Sequence, residues 1–241
     1  MIALEPLPGL PEVRPGDDLA ALIAACATEL LPGDVLAIAH KVVSKAEGRV
    51  VRLADVEPGP RALALAAEHG KDPRLVEVVL SETTEVVRAD AGRLICRTRH
   101  GFVCANAGVD ASNTGAPETL VLLPLDPDAS ARALRARLGC AVVITDSFGR
   151  AWRQGQCEIA IGCAGLAPSR DWRGAFDSDG RELPATLIAI ADEAAAAADL
   201  VRGKDTREPA VRIRGLERFV LPDDGPGAAT LVRPWASDLF R

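Results

Sequence analysis

The chain has 241 residues, with 34 acidic against 28 basic side chains and a formal net charge of −6. That balance excludes a broad nucleic-acid surface, which needs clustered Lys and Arg to displace counterions from phosphates. The length suits one large domain or two intimate ones, and with 48% hydrophobic but only 3% aromatic residues the core must be Val, Leu, Ile and Ala in layers of helix on sheet.

Six cysteines, Cys26, Cys96, Cys104, Cys140, Cys157 and Cys163, include no C-x-x-C pair and fall mostly in apolar runs, so they are expected to be reduced, small buried hydrophobes. The first residues lack a basic segment followed by a long apolar one, which argues against a signal peptide. The most apolar stretch, Ala185 to Leu200, is broken by Thr186, Asp192, Glu193 and Asp199, and is too short for a membrane span. A cytoplasmic protein with no membrane or nucleic-acid partner is the expectation.

Pro6 to Asp17 reads as irregular. Asp17 is the expected N-cap of a helix running to about Leu31, because Leu19, Leu22, Ile23, Cys26 and Leu30 recur at helical spacing. Val35 to Ala39 reads as a buried strand that opens into the polar segment His40 to Arg49. Helices are expected between Pro58 and Gly70 and from Pro73 to about Leu80, Gly70 and Pro73 being stop and start signals. Val86-Val87, Leu94 to Thr98 and Phe102 to Ala105 suggest an antiparallel meander. A helix over Ala129 to Leu138 follows the Asp126-Pro127 start signal, then strands over Cys140 to Thr145 and Gln156 to Gly165. Arg170 to Glu182 is a polar excursion, Leu187 to Arg202 the longest helix, and Ala210 to Ile213 a strand before a Pro- and Gly-rich tail.

Two apolar runs end in clusters of small and polar residues: Phe102 to Ala105 leads to Asn106, Gly108, Asp110, Ser112 and Asn113, and Ala141 to Ile144 leads to Thr145, Asp146, Ser147 and Gly149. Gly108 permits positive φ or close backbone approach. Carboxylates Asp110 and Asp146 at strand ends, beside hydroxyls, offer the hard oxygens that Mg²⁺ or Mn²⁺ takes while leaving room for phosphate oxygens. The same residues also suit turns that bond local backbone. Ser44-Lys45-Ala-Glu-Gly48-Arg49 reads as an anion-binding loop or, equally, a solvated basic turn. No Walker A motif, G-x-G-x-x-G turn or G-x-S-x-G elbow occurs, and His69 and His100 lack zinc-ligand spacing. Arg150, Arg153, Arg170 and Arg173 are candidates for anion contacts or for a solvated rim.

With these residues in hand, the chain resembles the coenzyme F420-0:L-glutamate ligase family. The resemblance rests on Gly9-Leu-Pro-Glu-Val-Arg-Pro-Gly-Asp-Asp-Leu19, Gly33-Asp-Val-Leu, Val43-Ser-Lys-Ala-Glu-Gly-Arg49, Asn106-Ala-Gly-Val-Asp-Ala-Ser-Asn113, Leu123-Pro-Leu-Asp-Pro-Asp128, Ile144-Thr-Asp-Ser-Phe-Gly-Arg150 and Asp179-Gly-Arg-Glu-Leu183. Each is weak alone; their order and spacing are specific. They cover nearly the whole chain, so residues 1–241 are expected to form a single ligase domain without the flavin-reductase-like domain fused to some relatives.

The resemblance implies an α+β fold, with mixed sheets and packed helices in two intimate lobes, and an intertwined homodimer. It implies a GTP-dependent enzyme that joins L-glutamate to F420-0 through an acyl phosphate, releasing GDP and phosphate, and that extends the product by γ-linked glutamates. Matching positions place one divalent ion, Mg²⁺ or Mn²⁺, on Asp110 and Asp146 and a second on Ser147, with K⁺ as an accessory ion. Leu10, Pro11, Glu12, Val13, His40, Lys41, Lys45, Asn113, Gly203 and Lys204 are matched to nucleotide binding. Two departures stand out: His40-Lys41 replaces small hydroxyl residues, and the loop Gly203-Lys204-Asp-Thr-Arg207 is shorter and lacks the expected acidic ligand. A metal-dependent phosphatase or nucleotidase using Asp110 and Asp146, and a non-enzymatic nucleotide-binding protein, are the rival readings.

Overall fold

A computed structural model of the chain describes residues 1–27 and 29–239. The strands are β1 (Ala3–Pro6), β2 (Val35–Ala39), β3 (Val50–Arg52), β4 (Thr83–Asp90), β5 (Arg93–Thr98), β6 (Val103–Ala105), β7 (Thr119–Val121), β8 (Ala141–Arg150), β9 (Arg153–Ala164), β10 (Arg170–Asp171), β11 (Leu187–Ile188) and β12 (Ala210–Arg214). The helices are α1 (Leu19–Cys26), α2 (His40–Ala46), α3 (Pro60–His69), α4 (Pro73–Ser81), α5 (Pro127–Leu138) and α6 (Ile190–Asp199). The fold is thus mixed α+β, as expected.

At its centre is a five-stranded sheet in the order β1-β12-β2-β8-β9, in which β2 and β8 are parallel and the other pairings antiparallel. Helices cover both faces, so β2 is apolar throughout instead of alternating with polar residues. Its side chains divide between two cores: Leu36 and Ile38 pack with Val142, Ile144 and helices α1 and α5, whereas Val35 and Ala37 pack with Val143, Val211, Ile213 and the alanines of α6. A third cluster joins α3 and α4 to Leu94 and Cys96 of β5 and to Leu120 of β7. There β4, β5 and β6 form the expected antiparallel meander, and β3 pairs separately with β7.

Close approach between α5 and the sheet requires Gly162, where an added Cβ would lie 2.3 Å from the Pro127 carbonyl oxygen. Asp126 caps α5 by accepting from Ala129 N–H, and Gly139 ends it in the left-handed region. No helix among the described residues is long and apolar enough to cross a membrane.

Several elements depart from the sequence reading. Asp18, not Asp17, caps α1, while Asp17 takes the Arg14 N–H. The helix stops at Cys26 because Ala27 is extended, and the expected continuation includes Thr28, outside the described residues. The segment after β2 is not a loop: α2 begins at His40 directly, which puts Ser44 and Lys45 on a helix, with Gly48 turning the chain at φ 72°. Strand β8 does not end at Thr145 but runs on to Arg150 in a long hairpin with β9, so Asp146 and Ser147 belong to a strand. Helix α6 occupies only Ile190–Asp199; Leu187 and Ile188 pair with Arg170 and Asp171. Helical periodicity in so Ala-rich a run does not mark where the chain first becomes helical. Strands β1, β3 and β7 are too short to have shown a period.

Candidate active site

The parallel pairing of β2 with β8 sets Ala39 opposite Thr145. The next residues, His40 and Asp146, therefore stand side by side, where β2 gives way to α2 while β8 runs on in its hairpin with β9. His40 is 2% exposed, and its Nε2 approaches Asp146 Oδ1 at 3.3 Å without completing a hydrogen bond. Its Nδ1 lies 3.3 Å from Ser44 Oγ one turn along α2. Strand β12 runs antiparallel to β2, so the loop Arg202 to Pro209 arrives at this end too, where Ala39 N–H donates to the Pro209 carbonyl.

Asp110 reaches the site from the other side. After β6 the chain takes a tight turn in which Asn106, Ala107 and Gly108 all have positive φ, and a Cβ on Gly108 would meet Leu123 at 2.7 Å. Both properties expected of Gly108 are thus used. Asp110 then pairs with Val121 through two backbone hydrogen bonds, which fixes its side chain relative to β7.

These elements enclose a cavity of about 770 Å³. All the residues matched to metal and nucleotide binding line it: Leu10 to Val13 on one rim, His40, Lys41 and Lys45 from α2, Asp110 and Asn113 from the loop after β6, Asp146 and Ser147 from β8, and Gly203 and Lys204 from the last loop. Arg150, Arg153, Arg170 and Arg173 do not; Arg173 pairs with Asp171, and Arg170 lies over the Trp172 ring.

The cavity wall alternates charge. Lys41 Nζ contacts Asp110 Oδ2 at 2.7 Å and donates to Ser112 Oγ at 2.7 Å, while Ser112 N–H donates to Asp110 Oδ1 at 2.7 Å. Burial pushes the Asp110 carboxyl up, but the Lys41 and Ser112 hydrogen bonds outweigh it and hold it below the usual carboxylate range. Lys45, 6% exposed, reaches Glu12 Oε1 at 2.5 Å. Asp146 Oδ1 accepts the Ser147 N–H at 2.8 Å.

Beside Asp146 is a charged cluster that sequence reading missed. Glu158, 4% exposed and opposite Ser147 in the β8–β9 hairpin, accepts from Ser147 Oγ at 2.5 Å. Arg202 Nη2 lies 2.8 Å from Glu158 Oε2 and donates to Thr145 Oγ1 at 3.0 Å, and Lys204 Nζ lies 3.4 Å from Glu158 Oε1. Here too burial raises the carboxyl, but Arg202, Ser147, Thr145 and Lys204 bring it below its ordinary value. The available signal was a lone carboxylate in the otherwise small and apolar Cys157-Glu-Ile-Ala-Ile161, a position that costs free energy unless paired.

Asp110 and Asp146 present hard oxygens to one cavity, a donor set that suits Mg²⁺ or Mn²⁺. Among the described residues no three His, Cys, Asp or Glu side chains converge into a ready-made metal cage. A cation at these two carboxylates would therefore complete its shell with water or ligand oxygens, as Mg²⁺ commonly does beside phosphates. The arrangement can hold a polyanion: ammonium groups of Lys41, Lys45 and Lys204 face the same space.

Residues 9–215 match the family model described as F420-0:Gamma-glutamyl ligase. The chain is 48% identical over 248 residues to the coenzyme F420:L-glutamate ligase of Methanopyrus kandleri, covering 100% of this chain and 98% of that one. It is 45% identical over 251 residues to the enzyme of the same name from Methanothermobacter thermautotrophicus, covering 100% and 99%. The Halobacterium salinarum enzyme is 46% identical over 247 residues, with 95% of this chain and 96% of the relative covered. With a match of this extent, the chain belongs to the F420-0:gamma-glutamyl ligase family of enzymes.

Proposed function

We propose that the chain is a GTP-dependent ligase that forms an amide between L-glutamate and the terminal carboxylate of F420-0, releasing GDP and phosphate, and adds further γ-linked glutamates. The observation that carries this reading is the meeting of Asp110, Asp146 and three lysine ammonium groups around one cavity. Phosphoryl transfer asks little covalent chemistry of a protein and much positioning and charge neutralisation.

The acceptor carboxylate attacks the γ-phosphorus, the bond from that phosphorus to the β–γ bridging oxygen breaks, and GDP leaves. The glutamate amine then attacks the acyl phosphate carbon, and the carbon–oxygen bond to phosphate breaks as the amine gives up a proton. Lys45 moves from Glu12 to a phosphate oxygen, while Lys41 and Lys204 offset charge on the opposite wall. Asp110 and Asp146 hold a divalent ion, Mg²⁺ or Mn²⁺. When bound, that ion supplies charge neutralisation at the phosphates. Leu10 to Val13, His40, Asn113 and Gly203 shape the nucleotide's seat. A homodimer, an accessory K⁺ and a cytoplasmic location complete the proposal, as the resemblance of the sequence implies.

Mass spectrometry of the product from F420-0, L-glutamate, GTP and Mg²⁺ tests the proposal; masses raised by whole glutamyl units, with matching GDP release, are expected. GTP turnover indifferent to both acceptors would overturn it in favour of a phosphatase or nucleotidase. Absence of GDP binding in calorimetry with Mn²⁺ present would overturn the nucleotide assignment.

A further inference from the structure

The second divalent ion matched to Ser147 does not fit the residues around that hydroxyl. Ser147 Oγ donates its one proton to Glu158 Oε1 at 2.5 Å and accepts from Lys204 Nζ at 2.6 Å. An ammonium group also contacts Asp110, at 2.7 Å, so what separates the two places is charge: Asp110 and Asp146 set two carboxylates against Lys41, whereas Ser147 brings no carboxylate of its own. Glu158, the carboxylate bonded to that hydroxyl, is already opposed by Arg202 at 2.8 Å and Lys204 at 3.4 Å, so its charge is neutralised before any ion arrives. A dication added there would meet two like charges in a partly dehydrated pocket, where screening is weak.

Lys204 is also not placed as a surface lysine. Its side chain is 70% exposed, yet its ammonium turns inward to two fixed partners on the β8–β9 hairpin. Its carbonyl accepts from Asn113 Nδ2 at 3.3 Å, so the short loop is tied across the cavity mouth. An exposed lysine ordinarily keeps its rotamer freedom in water; here two protons of the ammonium go to Ser147 and Glu158, leaving the third for a ligand anion.

We propose that Lys204 is the built-in substitute for a second divalent ion: its ammonium, braced by Ser147 and Glu158, contacts the terminal phosphate oxygens of the nucleotide, and one divalent ion per chain suffices. This rests on the nucleotide and cation reading given above.

The test is a count of bound Mn²⁺ by electron paramagnetic resonance at saturating GDP, on the wild type, Lys204→Glu and Lys204→Ala. One Mn²⁺ per chain is expected in the wild type. Lys204→Glu, which removes the ammonium and sets a carboxylate beside Glu158 and Ser147, is expected to bind two. Lys204→Ala is expected to bind GDP about tenfold more weakly, the loss of one charge-assisted contact. Because the Lys204 side chain is largely exposed and Glu158 keeps Arg202, both variants should fold, which circular dichroism checks. Two ions in the wild type, or an unchanged count in Lys204→Glu, would overturn the inference alone. No bound Mn²⁺ in the wild type would overturn it together with the Asp110 and Asp146 ion site.

Discussion

Replacing Arg202 by Met strands a buried carboxylate. The Arg202 and Glu158 side chains are 6% and 4% exposed and 2.8 Å apart, and removing one partner of such a pair costs about 3–5 kcal/mol. The guanidinium also donates to Thr145 Oγ1 and to the Pro209 carbonyl, which adds about 1 kcal/mol for each bond lost. Methionine regains part of this by filling the space, and Lys204, still 3.4 Å from Glu158 but exposed, returns about 0–1 kcal/mol. The expected loss remains about 3–5 kcal/mol, or about 10 °C in melting midpoint for a chain of this size.

Its pH dependence identifies the cause. In the wild type the folded Glu158 carboxyl is held below its ordinary 4.5, so its contribution is complete above pH 4.5 and is lost as pH falls through the lower, folded value. Without Arg202, burial dominates and lifts the folded carboxyl above 4.5; the penalty is then full at neutral pH and is relieved by protonation as pH falls towards 4.5. Urea unfolding followed by circular dichroism should show the gap between Arg202→Met and wild type narrowing from pH 7 to pH 5. The double variant Glu158→Gln with Arg202→Met should recover most of the loss. A gap independent of pH, with no recovery in the double variant, would refute the assignment of the cost to a stranded charge.

Asp146→Asn should abolish ligation and Mn²⁺ binding while shifting the melting midpoint by only a few degrees, because Asp146 lines the cavity and packs in none of the hydrophobic cores; ligation at the wild-type rate would contradict its role. Gly162→Ala should destabilise by about 2 kcal/mol or more, since the new methyl meets the Pro127 carbonyl at 2.3 Å and the backbone of α5 must retreat; unchanged urea midpoints would show that α5 moves freely. Burial pushes the thiols of Cys104 and Cys163 up to about 12 and that of Cys140 up to about 11. Iodoacetamide at pH 8 should therefore modify the less buried Cys26 and Cys157 first and these three only after denaturation, as peptide mass mapping would report.

The features most legible beforehand were those with local causes. Asp126-Pro127 starts α5 because a capping carboxylate and a preset φ act within one turn of the chain. Gly108 could be read in the same way. What local signals misjudged were junctions: α2 beginning at His40 without a loop, β8 continuing past Thr145, and the start of α6 at Ile190. Each depends on a distant partner. Strand β8 persists to Arg150 only because β9 supplies its hydrogen bonds, and no property of Asp146 or Ser147 alone predicts that.

The residue types at the site were thus a property of the sequence: hard-oxygen donors and ammonium groups in small-residue surroundings, repeated in an order specific to one family. Their relation to each other was decided by the fold. Parallel pairing of β2 with β8 sets His40 beside Asp146, the β8–β9 register sets Glu158 opposite Ser147, and the return of β12 brings Arg202 and Lys204 to the same end of the sheet. Sheet pairing joins residues a hundred positions apart through backbone hydrogen bonds that carry no side-chain signature, so which charges neutralise one another was settled only in three dimensions.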